Sequence, residues 1–377
     1  MTITKYMRIY IFPCIIFFIG ILFSCKPSEK STFSGKETVL RLETSPNNLR
    51  NSEGAFIKLK DGRILFVYTH FIGQGDHAQA HLAGRYSSDG GKTWTTEDEI
   101  ILPNEGGMNV MSVSFIRMPD ESIAMYYLRK NSMDDCIPMM RKSYDEARTW
   151  SEPVAIIQDR AGYFVMNNDR VIQLENGRIL APVSLHKTPD TEWNNKGKIF
   201  CYYSDDGGAT WKSSPEVPNP KDIMLQEPGL IILKDGKIMM FMRTDAKVQY
   251  LSYSEDNGES WNEAMPSDIT SPRAPASIKR IPSTGDLLLV WNNNNKEESH
   301  TVSRTHFNTA ISSDEGKTWK HIQTVADKPN GLYCYYAIEF EDDGVLLGHI
   351  AEWNANKTGL SAHITRLSLN WLYEREK

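Results

Sequence analysis

The sequence predicts an all-β fold, a six-bladed β-propeller whose blades share a polar turn, and three observations predict it. One turn motif, Ser-x-Asp-x-Gly-x-Thr-Trp, recurs five times. A tight hairpin turn recurs six times between short apolar strands. The 377 residues, 40% apolar, are enough to build a large core from many small repeats.

The turn motif occupies residues 87–94 (SSDGGKTW), 143–150 (SYDEARTW), 204–211 (SDDGGATW), 254–261 (SEDNGESW) and 312–319 (SSDEGKTW). Successive motif tryptophans lie 56, 61, 50 and 58 residues apart, a period that marks a repeat architecture. An Asp in such a turn accepts the N–H groups of its own loop, and the Trp packs between strands. Asp89, Asp206, Asp256 and Asp314 are therefore read as structural rather than catalytic. Ala147 stands where the second copy should have Gly, which predicts a modified turn.

The hairpin turns are Asp61-Gly62, Asp120-Glu121, Asn176-Gly177, Asp235-Gly236, Thr284-Gly285 and Asp343-Gly344. Asx-Gly pairs suit such turns because both residues tolerate positive φ. Six hairpins and five Asp-box turns give six four-stranded blades of about 56 residues. The last blade lacks a box. Its final strand runs through residues 363–367, and the first mature strand, residues 38–43, is expected to close against it.

The domain proper is assigned to residues 38–377. Residues 1–24 read as a signal peptide: Lys5 and Arg8 precede an apolar run over residues 9–23, too short for a stable membrane span. The run ends Leu22-Phe23-Ser24-Cys25, which resembles a bacterial lipobox and implies cleavage before Cys25 and lipidation of its thiol. An ordinary signal peptide with an incidental cysteine is the alternative. Residues 25–37 would then be the lipidated cysteine and a polar tether. This places the protein outside the cytoplasm, periplasmic or on the outer membrane or cell surface, held to the membrane by its anchor.

A net charge of −6 gives no reason to expect a nucleic-acid partner, and an anionic ligand would need a local cluster of Arg or Lys. P-loop, dinucleotide and HExxH patterns are absent from the sequence, and no cofactor or metal is implied. Cys136, Cys201 and Cys334 cannot all pair and lack metal-ligand spacing, so they read as buried free thiols, with one disulfide and an orphan cysteine as the alternative.

The hairpins also act as a ruler for the site. About eight to nine residues before each turn, the entry of an inner strand carries in order Ser52-Glu53, Asn109 and Met111, Asn168-Asp169-Arg170, Gln226-Glu227, Ala276-Ser277 and Cys334-Tyr335. The returning strands reach the same end at His70, Arg129, His186, Arg243, Trp291 and Glu352. Charged residues near an axis are costly unless paired or hydrated, so this ring reads as a cleft for a glycan or anion, with a satisfied polar channel as the alternative.

With these residues in place, the chain resembles the sialidase (neuraminidase) superfamily in its BNR/Asp-box form, over essentially the whole mature chain. That resemblance implies three arginines on a sugar carboxylate, a Tyr nucleophile with a Glu partner, and an Asp acid/base on a loop. A neutral Tyr meets less repulsion from an anionic sugar than a carboxylate nucleophile would. Gln226-Glu227-Pro228, followed by a hairpin and Arg243, resembles the family's Glu-Pro segment with its second arginine. Arg304, ten residues before Asp314, resembles the third arginine. Tyr335, or Tyr333 two residues earlier, falls where the nucleophile is expected, and Asp76 in the loop of residues 73–77 is the acid/base candidate. Each Tyr also reads as an aromatic wedge, and Asp76 as an ordinary loop carboxylate.

One departure stands out. Where the family opens its first blade with Arg in a Phe/Tyr-Arg-Ile-Pro segment, this chain has Asn51-Ser52-Glu53-Gly54, with Arg50 early. Arg50, Arg170 or Arg129 would have to supply the missing cation; alternatively Glu53 and Asp169 face a neutral sugar, and the pocket does not recognise sialic acid. Arg273, Lys130 and the loop of residues 292–295 are further cleft candidates, with solvated loop positions as the alternative. Three functions follow as expectations. The first is a retaining exo-glycosidase resembling sialidases, with glycans as substrates. The second is a hydrolase or lyase for another sugar, such as a uronic acid. The third is a glycan-binding surface lipoprotein without turnover.

Overall fold

Alternating apolar and polar residues make strands along nearly the whole chain, and the way those strands join is visible in a computed structural model that describes residues 1–2, 35–295, 304–329 and 331–374. The leader apart from Met1 and Thr2, the lipidation candidate Cys25 and the tether up to residue 34 lie outside the described residues. The chain divides into Met1–Thr32 and Phe33–Lys377, and every strand of the described residues lies in the second unit.

All six expected hairpins form as antiparallel pairs, and the Asp-box turns follow the third strands of the groups they close. The strand grouping differs from the six-bladed propeller. Among the described residues the strands gather into four sheets, of eight, nine, four and four strands, and none closes on itself. Single parallel bridges cause the difference. Arg50 pairs with Leu360, joining the C-terminal strands Gly331–Glu341, Gly344–Trp353 and Leu360–Ser368 to the N-terminal group Arg50–Lys58, Ile64–Phe71, Ala80–Ser87 and Glu99–Leu102. Tyr163 pairs with Cys136 and merges the second and third groups in the same way. The strand Lys36–Leu42 adds antiparallel to Leu360–Ser368, with Thr38 opposite Thr365, as expected.

Each sheet packs on the next. Ala55, Leu65 and Val67 of the first meet Val113, Met125 and Tyr127 of the second. Leu180 and Ile199 of the second meet Leu230 and Met240 of the third, and Met239 and Phe241 of the third meet Leu287 and Leu289 of the fourth. The fourth returns to the first through Leu288 and Val290 against Val345 and Leu347. Full burial of such side chains stabilises by about 1.5–3 kcal/mol each.

The Asp boxes do what their composition predicts. In the first, Ser87 Oγ donates to Asp89 Oδ1 at 2.9 Å, and Asp89 accepts from Thr93 N at 2.9 Å and Thr93 Oγ1 at 2.7 Å. The second box keeps this pattern at Asp145 although Ala147 takes the glycine position with φ 67°. Cys136, Cys201 and Cys334 are buried free thiols.

One irregularity positions the site. Register slips interrupt the first strands of four hairpins, between Ser52 and Ala55, Met111 and Ser114, Gln226 and Gly229, and Cys334 and Ala337. In each slip a non-glycine residue takes a left-handed φ: Glu53 54°, Ser112 60°, Glu227 46° and Tyr335 58°. Such a bulge re-aims a side chain, and each left-handed residue costs about 1–3 kcal/mol that surrounding packing must offset. Gly54 shows how close that packing is, since a Cβ there would lie 2.4 Å from the Phe66 ring.

Candidate active site

The four bulged residues line one cavity of about 310 Å³, together with Asp76, Lys130, Arg243 and Arg304. Its walls come from three sheets, the loop between Ile64–Phe71 and Ala80–Ser87, the loop that carries Trp193 and the segment at Arg304 before Phe307–Ser312. Asn168 ties two of the bulges together, its Nδ2 donating to Gly54 O at 2.6 Å and to Tyr335 O at 3.2 Å.

At the centre, Tyr335 OH donates to Glu227 Oε1 at 3.5 Å, and Arg243 Nη1 donates to Glu227 Oε2 at 2.8 Å. Gln226 and Arg243 are opposite each other on adjacent strands, so the hairpin fixes this ion pair. The Arg304 guanidinium lies 5.9 Å from the Tyr335 ring, its Nη1 donating to Cys334 Sγ at 3.3 Å and its Nη2 to Arg273 O at 3.0 Å. Burial, with the Glu227 carboxylate adding to it, holds the Tyr335 hydroxyl far above the ordinary phenol range. Tyr335 is thus a neutral phenol with a carboxylate within reach.

Asp76 and Arg50 form a second pair. Arg50 Nη1 donates to Asp76 Oδ1 at 2.5 Å and to Gln74 O at 3.1 Å, while its Nη2 faces Glu53 at 3.4 Å. The guanidinium lies 4.2 Å from the Phe71 ring centroid. Arg50 draws the Asp76 carboxyl below its usual range. The Asp76 backbone is held from the second sheet, its carbonyl accepting from Lys130 Nζ at 2.7 Å and Asn109 Nδ2 at 3.0 Å. Glu53, 4% exposed, is pushed up to about 7 by burial, against the pull of Arg50 and with Asp76 and Glu227 adding to the rise.

Several expected residues lie elsewhere. Tyr333 is buried in the core against Phe307, and Tyr335 is the tyrosine beside Glu227. Arg50 reaches the site only through Asp76 and Glu53 and is not part of the cavity wall. Asp169 and Arg170 line a separate cavity of about 330 Å³. There Asp169 accepts from Lys279 Nζ at 2.8 Å and Ile338 N at 3.0 Å, and Arg170 Nη2 donates to Ala276 O at 2.7 Å. Arg129 is one position out of phase: strand alternation turns it away and presents Lys130 to the cavity. Asn292 holds its own loop, donating to His306 O at 2.7 Å, and His70 faces Asp98 at 3.3 Å.

Sequence reasoning missed Ser112, Leu128, Tyr163, Val165, Asn167 and Trp193, which line the wall beside His186. Tyr163 and Asn167 come from the short strand Tyr163–Val165 and the turn after it, and Trp193 from a loop. Hairpin spacing carries no signal for such places.

A family model described as a BNR repeat-like domain matches residues 97–347, and one described as a BNR/Asp-box repeat matches residues 85–96. A sialidase of Bacteroides fragilis (strain YCH46) is 27% identical over 222 residues, 55% of this chain and 38% of that protein. The chain therefore spans well under half the length of that curated relative. A protein of unknown function from Dyadobacter fermentans DSM 18053 has a similar structure, with a TM-score of 0.69 at 18% identity over 88% of this chain and 99% of its own. Trypanosoma rangeli sialidase in complex with 2,3-difluorosialic acid (covalent intermediate) has a TM-score of 0.67 at 16% identity, over 89% of this chain and 60% of that one. These two structural likenesses are likenesses of fold.

Proposed function

The chain belongs to the BNR repeat-like domain family, and from that premise we propose that it is a glycoside hydrolase of sialidase type, removing a terminal anionic sugar from glycans with retention. The observation that carries this reading is the Tyr335–Glu227–Arg243 chain of contacts in a cavity that also holds Asp76 and Arg304.

In the proposed reaction Arg243, Arg304 and Lys130 attract the sugar's anionic group. Tyr335 Oη bonds to the anomeric carbon as the bond to the leaving oxygen breaks. The phenol proton passes to Glu227, and Asp76, once protonated, gives its proton to the leaving oxygen. Water then attacks the anomeric carbon, Asp76 takes the water's proton, and the departing Tyr335 oxygen recovers its proton from Glu227. Because Arg50 favours ionised Asp76, the acid form is populated at low pH, and we expect an acidic optimum.

A second reading is favoured by one observation. Glu53 lines the cavity and Arg50 does not, so one side of the pocket carries a carboxyl group where an arginine would meet a sialic acid carboxylate. Above about pH 7, where the Glu53 carboxyl is charged, a sugar with its anionic group elsewhere, such as a uronic acid, avoids that repulsion. Turnover of fluorogenic sialosides beside a panel of uronosides separates the two, with Glu227→Gln and Arg304→Ala as controls. Cleavage confined to uronosides selects the second reading. Sialoside cleavage that survives both substitutions removes the site assignment, and glycan binding without any turnover selects a non-catalytic lectin-like role.

The proposal includes export and lipid anchoring at Cys25, supported by the charged, apolar and Leu-Phe-Ser-Cys segments of the leader. Loss of the protein from the membrane fraction in Cys25→Ser tests it, and an unchanged distribution would overturn it.

A further inference from the structure

Lys130 is the one buried lysine among the described residues, 1% exposed, and it lines the main cavity. Its ammonium donates to Asp76 O at 2.7 Å and lies 5.3 Å from the centroid of the Tyr163 ring. Among the described residues no carboxylate stands within 4.0 Å of it, although far more exposed lysines have such a partner: Lys187 has Asp134, Lys279 has Asp169 and Lys328 has Glu352. An ammonium carries three N–H groups and a full charge, and burying it without a counter-ion is unfavourable. Burial accordingly lowers the Lys130 pKa.

Neighbouring groups do not account for this charge. Asp76 is ion-paired with Arg50 at 2.5 Å, and the Glu53 carboxyl is neutral below about 7. Anchoring of the Asp76 loop does not require a cation either. Asn109 Nδ2 makes the same contact to Asp76 O at 3.0 Å, and another to Ala78 O at 2.8 Å, with a neutral amide. A cation kept in a cavity wall, where a neutral donor serves the loop equally well, fits an anionic group brought by the ligand.

All three cavity cations attract an anion, but their places differ. Arg243 ends the strand Ile238–Arg243 of the third sheet and is bound to Glu227, while Arg304 lies 5.9 Å from the Tyr335 ring. Both stand at the reacting tyrosine. Lys130 ends the strand Ile123–Lys130 of the second sheet and meets Asp76 and Tyr163 instead. We propose that the substrate's sugar carries two anionic groups, one held by Arg243 and Arg304 and a second, a sulfate or phosphate ester, held by Lys130. This rests on the reading of the main cavity as a glycosidase site, and its test is made by binding and not by turnover.

Methyl glucuronoside and N-acetylneuraminic acid, each with one carboxylate, are titrated calorimetrically into the full chain at pH 6. The 2-, 3- and 4-sulfates of the former and the 9-phosphate of the latter are titrated beside them. At least one ester binds about tenfold tighter than its parent, the effect expected of one close charge pair in a buried site. Lys130→Gln, which keeps a donor for Asp76 O, and Lys130→Met remove this preference. Arg304→Ala weakens parent and ester together and leaves the preference in place. A gain confined to the sulfates or to the phosphate supports the proposal and identifies the ester. Absence of binding, or equal binding of esters and parents, in the wild type overturns it without need of a variant, and so does a preference that survives Lys130→Gln. Turnover of a singly charged glycoside with no such preference overturns this proposal and leaves the catalytic reading standing. A Lys130-dependent preference with no glycoside turned over overturns the catalytic reading and supports the second anion contact.

Discussion

Arg50 Nη1 donates to Asp76 Oδ1 across 2.5 Å, so the arginine nearest the expected first carboxylate contact is turned onto the loop acid. The pair sets the protonation of Asp76. Arg50 stabilises the carboxylate, whereas the proposed role as general acid needs the carboxylic form. Arg50→Ala should therefore raise the Asp76 pKa and move the basic limb of the kcat/KM–pH profile upward by about one unit or more. An unshifted basic limb would separate Asp76 from acid catalysis.

Glu53 makes anion binding depend on pH. Its carboxyl is neutral below about 7 and charged above it. Affinity for an inhibitor bearing a carboxylate should fall as pH rises through that value, and Glu53→Gln should flatten the dependence. Stability follows the same linkage: the folded pKa lies above the unfolded value of about 4.3, so the contribution of Glu53 is full below that pH and lost as pH rises through about 7. Glu53→Gln should thus raise Tm at pH 8 relative to wild type more than at pH 4, as thermal melts at both pH values would show.

The two tyrosines should separate cleanly. Tyr335→Phe should lower kcat by about 10³-fold or more, whereas Tyr333→Phe, altering a core side chain, should stay within about threefold of wild type. Glu227→Gln should lower kcat by about 10²–10⁴-fold, the usual range for a proton-transfer partner. Steady-state kinetics on one substrate decides all three.

The second Asp box offers a test of stability alone. Ala147 holds φ 67°, a left-handed conformation that costs a residue with a Cβ. Ala147→Gly should stabilise the protein by roughly 0.5–1 kcal/mol after the entropic cost of glycine is counted. Urea unfolding that shows no gain would mean that the turn has already relieved the strain.

The hairpin ruler made much of the site legible. Glu53, Glu227 and Tyr335 fall at one place in the repeat because one bulge recurs there, and that recurrence is written in the spacing from each turn. Arg129 shows the ruler's resolution, since an error of one residue turns a side chain to the other face and Lys130 takes its place. Sheet membership was not legible. The bridges Arg50–Leu360 and Tyr163–Cys136 each rest on a single residue pair, which leaves no periodic trace in the sequence. Tyr163 and Trp193 were missed for a related reason, because tertiary contacts and not strand alternation aim them at the cavity.

The central claim is that Tyr335 forms a covalent bond to the sugar, with Glu227 as its proton acceptor. The most direct measurement is intact-mass and peptide mass spectrometry after incubation with 2,3-difluorosialic acid, with the corresponding fluorinated uronic acid in parallel. The account predicts a single adduct on the peptide that contains Tyr335, absent in Tyr335→Phe and formed far more slowly in Glu227→Gln. An adduct on another residue, or turnover of the matching glycoside with no adduct under either reagent, would contradict it.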